Sequence, residues 1–110
     1  MKYHISLAET ISQLRNENKP FTILMKHGSM QLEYFAPRDI DTQTPHQQDE
    51  IYIISSGHSD FFRNGETLKC NKGDVLFVPA GMEHRFINFS NDFATWVIFY
   101  GKHGGEAIDI

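Results

Sequence analysis

Four side chains that can hold a metal ion lie in two separate parts of the chain. His46, Gln48 and Glu50 alternate along one segment, and His84 follows the turn at residues 79–81. If the first segment is extended, its alternate side chains point to one face of a strand. Two imidazoles and one carboxylate leave coordination positions of a metal open, as in non-haem iron oxygenases and catalytic zinc sites. One interpretation is therefore a metal site built from His46, Glu50 and His84.

The same residues also permit a plain structural interpretation. His46 and Glu50 then form a solvated polar face where the chain enters a strand, and His84 is an ordinary loop histidine. Periodicity alone favours this interpretation, because such coincidences are common. Glu50, however, opens the apolar run 51–54, and a carboxylate at the edge of a core is costly unless it is paired or bound to a metal. The residue types by themselves leave both interpretations open.

Short strands and turns must position these side chains. Two β-type runs around Gly28 predict a hairpin. The pair Asn64-Gly65 between two further runs predicts another, since both of its residues accept positive φ. Short strands at this spacing indicate a sandwich or a barrel, with no alternation of strands and helices.

The N-terminal residues differ from the rest, because they carry a helical pattern. Ser6 and Glu9 form a predicted capping box, and apolar residues at helical spacing follow to about Asn16. We expect residues 1–20 to form a helical extension, residues 21–101 a barrel and residues 102–110 a flexible, glycine-rich tail.

Composition excludes several classes of function. The chain of 110 residues has a net charge of -4 and its ten Lys and Arg are scattered, so it lacks the basic patch that nucleic acids require. No apolar run approaches the roughly 18 residues of a membrane span, and residues 3–19 are too polar for a signal peptide. We expect a cytoplasmic protein with no nucleic-acid or membrane partner. Cys70 is alone, so no intrachain disulfide forms.

The residues around His84 resemble the second sequence motif of the cupin family. That motif is Gly, five residues, Pro-x-Gly, two residues, His, three residues and Asn, and the chain matches it without a gap at Gly73, Pro79, Gly81, His84 and Asn88. The resemblance implies an all-β fold, the double-stranded β-helix or jelly-roll-like cupin barrel, here with a short N-terminal helix.

The segment before Gly57 resembles the first cupin motif, which is His-x-His, three or four residues, Glu, six residues and Gly. In one alignment His46 is the second histidine, Glu50 is the glutamate, and Thr44 stands where the first histidine is expected. In the other alignment His46 is the first histidine and Gln48 replaces the second. Both alignments imply His46, Glu50 and His84 as metal ligands, with Gln48 or Thr44 at the fourth position.

The resemblance covers about residues 44–101 and extends to small stand-alone bacterial cupins of the cupin 2 conserved barrel type, most of them uncharacterised. It implies a divalent metal ion (Fe, Mn, Zn or Ni) that acts on a small organic molecule. Oxygenation, decarboxylation and isomerisation all occur among cupins, so the fold does not select one. The alternative is a non-catalytic module that binds or senses a small ligand. Small cupins commonly pair through N-terminal strands, so we also expect a homodimer.

Overall fold

The computed structural model describes residues 2–107 and forms two β-sheets preceded by a short helix. The elements are α1 (Leu7–Asn16), β1 (Phe21–His27), β2 (Met30–Phe35), β3 (Asp49–Ser56), β4 (His58–Arg63), β5 (Glu66–Asn71), β6 (Val75–Val78), β7 (His84–Ile87) and β8 (Ala94–Tyr100). Within residues 2–107, no helix has the length and apolar character needed to cross a lipid bilayer.

Both sheets are antiparallel. The larger sheet has the strand order β1-β2-β8-β3-β6, and the smaller has the order β5-β4-β7. β3 is an inner strand, in which Glu50 pairs with Val78 of β6 and with Phe99 of β8. β7 pairs with β4, which places His84 opposite Arg63. The all-β fold with a short N-terminal helix, expected from the sequence, is confirmed.

The core beneath the start of β3 and β7 consists mainly of aromatic rings. Tyr52, Phe61 and Phe86 are each at most 1% exposed. The ring centroids of Tyr52 and Phe86 are 5.0 Å apart, and those of Phe61 and Phe86 are 4.8 Å apart. Such ring pairs add about 0.5–1.5 kcal/mol each beyond the area they bury. The side chains at the starts of β3 and β7 therefore lie above a closely packed aromatic core.

The local turn and cap predictions are confirmed in most details. The Ser6 hydroxyl accepts a hydrogen bond from the Glu9 amide at 3.1 Å and so caps α1. The Glu9 carboxylate, however, binds Lys2 Nζ at 2.9 Å where the capping box predicted a bond back to the Ser6 amide. Asn64 and Gly65 join β4 to β5 with φ values of 48° and 84°, as a two-residue hairpin turn requires.

The segment before β3 differs from the expected strand. Regular pairing begins at Asp49, and residues 41–46 have no regular secondary structure. Asp41 Oδ1 accepts a hydrogen bond from the Gln43 backbone amide at 3.0 Å, which closes a local turn, and Pro45 has no N–H to donate to a ladder. The condition under which alternate residues of this segment would share one strand face is therefore not met before Asp49.

The described part of the predicted tail contacts the same segment. The Gly104 amide donates to the Gln47 carbonyl at 2.7 Å, and the Glu106 amide donates to Asp49 Oδ2 at 2.8 Å. Residues 108–110 lie outside the described part of the chain. The flexibility of the tail and the boundaries at residues 20 and 101 stay predictions.

Candidate metal centre

Glu50 lies on the inner strand β3 and is fully buried, with 0% of its surface exposed. Among the described residues, neither of its carboxylate oxygens has a hydrogen-bond partner. Removing a carboxylate from water costs several kcal/mol, which the fold must offset with a nearby positive charge. The position of Glu50 therefore favours a neighbouring cation, which a protonated His84 or a metal ion can supply.

His84 lies at the start of β7 and is 2% exposed. Its Nδ1 is 2.8 Å from the Met82 carbonyl oxygen, so Nδ1 carries a proton and donates it to that acceptor. The other ring nitrogen, Nε2, lies 2.8 Å from Glu50 Oε1 and 3.0 Å from the Tyr52 hydroxyl. The contact with Glu50 has the distance of an ion pair but is not aligned as a hydrogen bond. A backbone bond at Nδ1 is the usual way in which a protein directs Nε2 towards a metal.

His46 reaches the same place from the loop that precedes β3. Its backbone carbonyl accepts a hydrogen bond from the Gly81 amide at 2.8 Å, and Gly81 has a φ of 79° that favours glycine. Its ring packs edge-on against Phe99, with centroids 4.7 Å apart, and lies 5.7 Å from the His84 ring. The turn that contains Gly81 therefore holds His46 through the backbone and leads directly into His84.

The three side chains form one compact group of donor atoms. One ring nitrogen of His46, one of His84 and one carboxylate oxygen of Glu50 all lie within 4.8 Å of one another. Donor atoms that are about 2.1 Å from one metal ion stand roughly 3–4 Å apart, so the group fits a divalent ion with a small adjustment. The donor set of two imidazoles and one carboxylate suits iron, manganese, zinc and nickel.

Glu50 and burial act on the pKa values of the two histidines. Burial lowers the pKa of His46, and the negative charge of Glu50 offsets this only in part. Burial also acts to lower the pKa of His84, but its contacts with Glu50 and with the Met82 carbonyl outweigh burial and raise that pKa. The proton on His84 therefore helps to neutralise Glu50, and a metal ion must compete with that proton.

The two alternative candidates for the fourth ligand, Gln48 and Thr44, are not among the grouped donor side chains. Gln48 Nε2 donates to the carbonyl oxygens of Ser29 and Gly101, both at 2.8 Å. Thr44 is exposed in the irregular segment, at the wall of a cavity beside His46. The role of either residue as a metal ligand stays a prediction.

Two residues near the centre were missed by sequence reasoning, Gln43 and Tyr52. The Tyr52 hydroxyl donates to Gln43 Oε1 at 2.9 Å, and that oxygen is 3.4 Å from His46 Nε2. Tyr52 lies two residues after Glu50 on β3, so strand alternation was the signal that places both on one face. Gln43 carried no comparable signal, because its position depends on the conformation of a loop.

The remaining polar residues of the two motifs have structural contacts. Asp49 Oδ1 accepts from the Ala80 amide at 2.9 Å, which fastens the turn before His84 to β3. Asn88 takes a φ of 54° and donates to Asp60 Oδ2 at 3.1 Å. Both side chains therefore hold parts of the fold together through hydrogen bonds.

A cavity of about 320 Å³ adjoins His46. Its wall is formed by Phe21, Phe35, Val97 and Phe99 from the larger sheet, together with residues 40–44 of the loop. Pockets of this volume with apolar walls and a few polar groups are typical of small-molecule sites. One of the three donor side chains, His46, therefore lines a space that can hold a small organic molecule.

Comparisons with known proteins agree with this architecture. Residues 31–100 match the family model described as a cupin domain. Uncharacterized protein SCO3923 of Streptomyces coelicolor is 41% identical over 59 residues, which are 54% of this chain and 56% of that protein. The chain thus spans just over half the length of this relative.

Solved structures of similar fold come from several bacteria. A cupin 2 conserved barrel domain protein from Salinispora arenicola superposes with a TM-score of 0.68 at 18% identity, over 92% of this chain and 89% of that one. The DMSP lyase DddQ from Ruegeria pomeroyi superposes with a TM-score of 0.64 at 23% identity, over 74% of this chain and 46% of that one. At these identities the similarity concerns the fold.

Proposed function

The chain belongs to the cupin family, and on that premise we propose that His46, Glu50 and His84 bind a divalent metal ion that acts on a small organic molecule in the adjoining cavity. The observation that carries this proposal is Glu50, a fully buried carboxylate with no hydrogen-bond partner for either oxygen in the described part of the chain. A nearby cation makes such a position favourable, and the ring nitrogens of the two histidines lie close enough to Glu50 to hold a metal ion with it.

Bound in this centre, iron supplies dioxygen activation, whereas zinc, manganese or nickel supplies a Lewis acid. The side chains of the protein have separate tasks around it. The Met82 carbonyl holds the Nδ1 proton of His84 and so keeps Nε2 available as a ligand. Phe35, Val97 and Phe99 form an apolar wall of the cavity.

Tyr52 can hold a proton at the centre throughout a reaction. Burial and the charge of Glu50 raise the pKa of Tyr52 well above its usual value, so its hydroxyl stays protonated. That hydroxyl lies 3.0 Å from His84 Nε2 and donates its proton to Gln43 Oε1 at 2.9 Å. We assign Tyr52 the role of holding that amide oxygen beside the centre.

Homodimerisation is part of the proposal. β1 is an edge strand of the larger sheet, a position that supports pairing with a second copy. We expect light scattering at micromolar concentration to give twice the mass of the chain, and the mass of one chain would refute the dimer.

Elemental analysis of protein purified without a histidine tag or chelator tests the metal proposal. We expect close to one equivalent of metal in the wild type and loss of that metal in both His46→Ala and His84→Ala. His58→Ala is the matched control, because His58 is exposed and belongs to no donor group found in the structure. Protein that stays empty after incubation with iron, manganese, zinc and nickel would refute the proposal.

Catalysis is tested separately from metal binding. Metal-loaded protein is screened against small carboxylic acids, enols and sugars, with the metal-free protein as the control. Turnover that depends on metal supports an enzyme. Metal-dependent binding without turnover across the screen would favour the alternative, a non-catalytic module that binds a small ligand.

A further inference from the structure

The loop before β3 holds Gln43 in a defined orientation. Asp41 accepts three hydrogen bonds, from the Gln43 backbone amide at 3.0 Å, from Gln43 Nε2 at 2.7 Å and from the Phe86 amide at 2.8 Å. Because a carboxylate only accepts, the nitrogen of the Gln43 side chain must face Asp41 and its oxygen must face the other way. The bond to Phe86 also fastens the loop to β7, the strand that begins with His84.

The Gln43 oxygen faces the metal centre. Oε1 accepts from the Tyr52 hydroxyl at 2.9 Å and lies 3.4 Å from His46 Nε2. Two ligand atoms at about 2.1 Å from one ion are roughly 3.0 Å apart in an octahedral shell and 3.4 Å apart in a tetrahedral one. Gln43 Oε1 and His46 Nε2 therefore have the separation of neighbouring ligands.

We propose that Gln43 supplies the fourth protein ligand through Oε1, at the position that the sequence alignments give to Thr44 or Gln48. This inference rests on the metal site proposed above. A neutral amide oxygen is a harder donor than the imidazole it replaces, so the ligand set shifts towards iron and manganese and away from zinc. Asp41 acts as the positioning residue that presents this oxygen.

Titration of Co²⁺ into metal-free protein tests the assignment, because the visible absorption of the ion reports its coordination number. We expect Gln43→Leu to weaken Co²⁺ binding by about tenfold or more and to change the visible spectrum. Gln48→Leu and Thr44→Val are the matched controls, and we expect both to keep the wild-type spectrum and affinity within about threefold. Thermal melts of the metal-free variants show that each one is folded.

The outcomes separate this inference from the proposed function. Wild-type protein that binds no Co²⁺ refutes both. If wild-type protein binds Co²⁺ and Gln43→Leu binds it with the same affinity and spectrum, Gln43 is not a ligand and the three-residue site stands. Loss of binding in Gln48→Leu with retention in Gln43→Leu would return the fourth position to Gln48.

A different observation, the charge of the cavity wall, carries a second inference. Among the described residues, the charged side chains that line the cavity are the carboxylates of Glu33 and Asp41, and no Lys or Arg lines it. Asp41 is satisfied by its three donors, whereas Glu33 has one hydrogen bond, from Gln31 Nε2. Burial raises the pKa of Glu33, and the charges of Lys19 and Lys26 outside the cavity wall offset this only in part.

The geometry points to a ligand that carries a cationic nitrogen beside Glu33 and an apolar body against Phe35, Val97 and Phe99. An anionic group in the same place is repelled by the carboxylate of Glu33 and is disfavoured. This preference belongs to the cavity wall and exists without metal.

Binding of 2-phenylethylamine and phenylacetate, an isosteric pair of opposite charge, tests this inference by ligand-observed NMR. Metal-free protein is used because a metal ion would attract the carboxylate. We expect the amine to bind at least about fivefold more tightly, and Glu33→Gln to remove that difference. Glu83→Gln, at an exposed position away from the cavity wall, is the control and keeps the preference.

Equal or tighter binding of phenylacetate, failure of both probes to bind, or a preference that survives Glu33→Gln would each overturn the inference. None of these results bears on whether the centre binds metal, which Co²⁺ titration measures independently.

Discussion

The metal centre has two halves that the fold holds in different ways. The strand half consists of Glu50, Tyr52 and His84, which are at most 2% exposed and lie on paired strands above the aromatic core. The loop half consists of Gln43 and His46, which are half-buried in an irregular segment. Asp41 accepts hydrogen bonds from Gln43, and the Gly81 amide donates one to His46. The strand half thus provides fixed charge, whereas the loop half also forms the cavity wall.

This difference indicates how one barrel can serve several reactions. Changes in the strand half disturb the core, so its side chains are constrained by packing as well as by chemistry. Changes in the loop half alter the cavity and the fourth ligand at little cost to the fold. The identity of the metal and of the substrate is therefore expected to follow from the loop half.

The largest expected effect comes from Glu50→Gln, which removes the charge of the strand half. We expect metal binding to weaken by about 100-fold or more, because a carboxylate ligand is lost. At a pH above the folded pKa of His84, the free energy of unfolding of the metal-free protein should stay the same or rise by about 1 kcal/mol, since a buried charge that His84 no longer neutralises disappears. Calorimetric metal titration and urea unfolding measure the two quantities. A loss of more than about 2 kcal/mol in the metal-free protein would identify Glu50 as a structural partner of His84.

A comparison of His84→Ala with His46→Ala measures the difference between the halves directly. Both variants should lose metal, but only His84→Ala removes a buried ring and leaves the Met82 carbonyl without its partner. We expect His84→Ala to lower the free energy of unfolding of the metal-free protein by about 2 kcal/mol and His46→Ala by less than about 1 kcal/mol. Equal losses in urea unfolding would show that the two halves are held alike.

Above about pH 6.5, the stability of the metal-free protein should depend on pH through His84 of the strand half and not through His46 of the loop half. The pKa of His84 is raised in the folded state, so its stabilising contribution is complete below the unfolded pKa of about 6.5 and is lost as pH rises through the folded pKa. The pKa of His46 is lowered, so its contribution changes only below about pH 6.5. We expect urea unfolding between pH 6.5 and 9 to show stability falling with pH, and His84→Gln to flatten that slope. An unchanged slope in His84→Gln would mean that another group titrates.

The smallest effect on stability and binding is expected from an exposed residue of the loop beside the cavity. Ile40 lines the cavity but is 71% exposed, so Ile40→Ser removes little buried surface. We expect the free energy of unfolding to change by less than about 0.5 kcal/mol and the binding of 2-phenylethylamine to weaken by about threefold. A large loss of stability would show that the loop half is part of the core.

The sequence predicts the strand half of the metal centre better than the loop half. The turn at residues 79–81 and the Asn64-Gly65 hairpin depend on local φ preferences, which residue types reveal. Glu50 and His84 were found because they follow motifs whose spacing is set by strands and turns. The strand half was therefore largely predictable.

The loop half was not predictable in the same way. Gln43 faces the centre because Asp41 binds both its side chain and the amide of Phe86, which is 45 positions further along the chain. No local sequence pattern reveals a contact between residues so far apart in the chain. Strand alternation extended backwards from Glu50 instead pointed to Gln48 and Thr44 as candidates for the fourth ligand. Pro45 and the turn at Asp41 were the available signs that the strand begins later.

Anomalous diffraction from crystals of the Mn²⁺-loaded protein tests the central claim most directly. We predict one strong anomalous peak bounded by His46, Glu50 and His84, with the Gln43 oxygen as its nearest amide ligand. A map without a peak at these residues, although the crystals were grown or soaked with manganese, iron, zinc and nickel in turn, would contradict the metal centre.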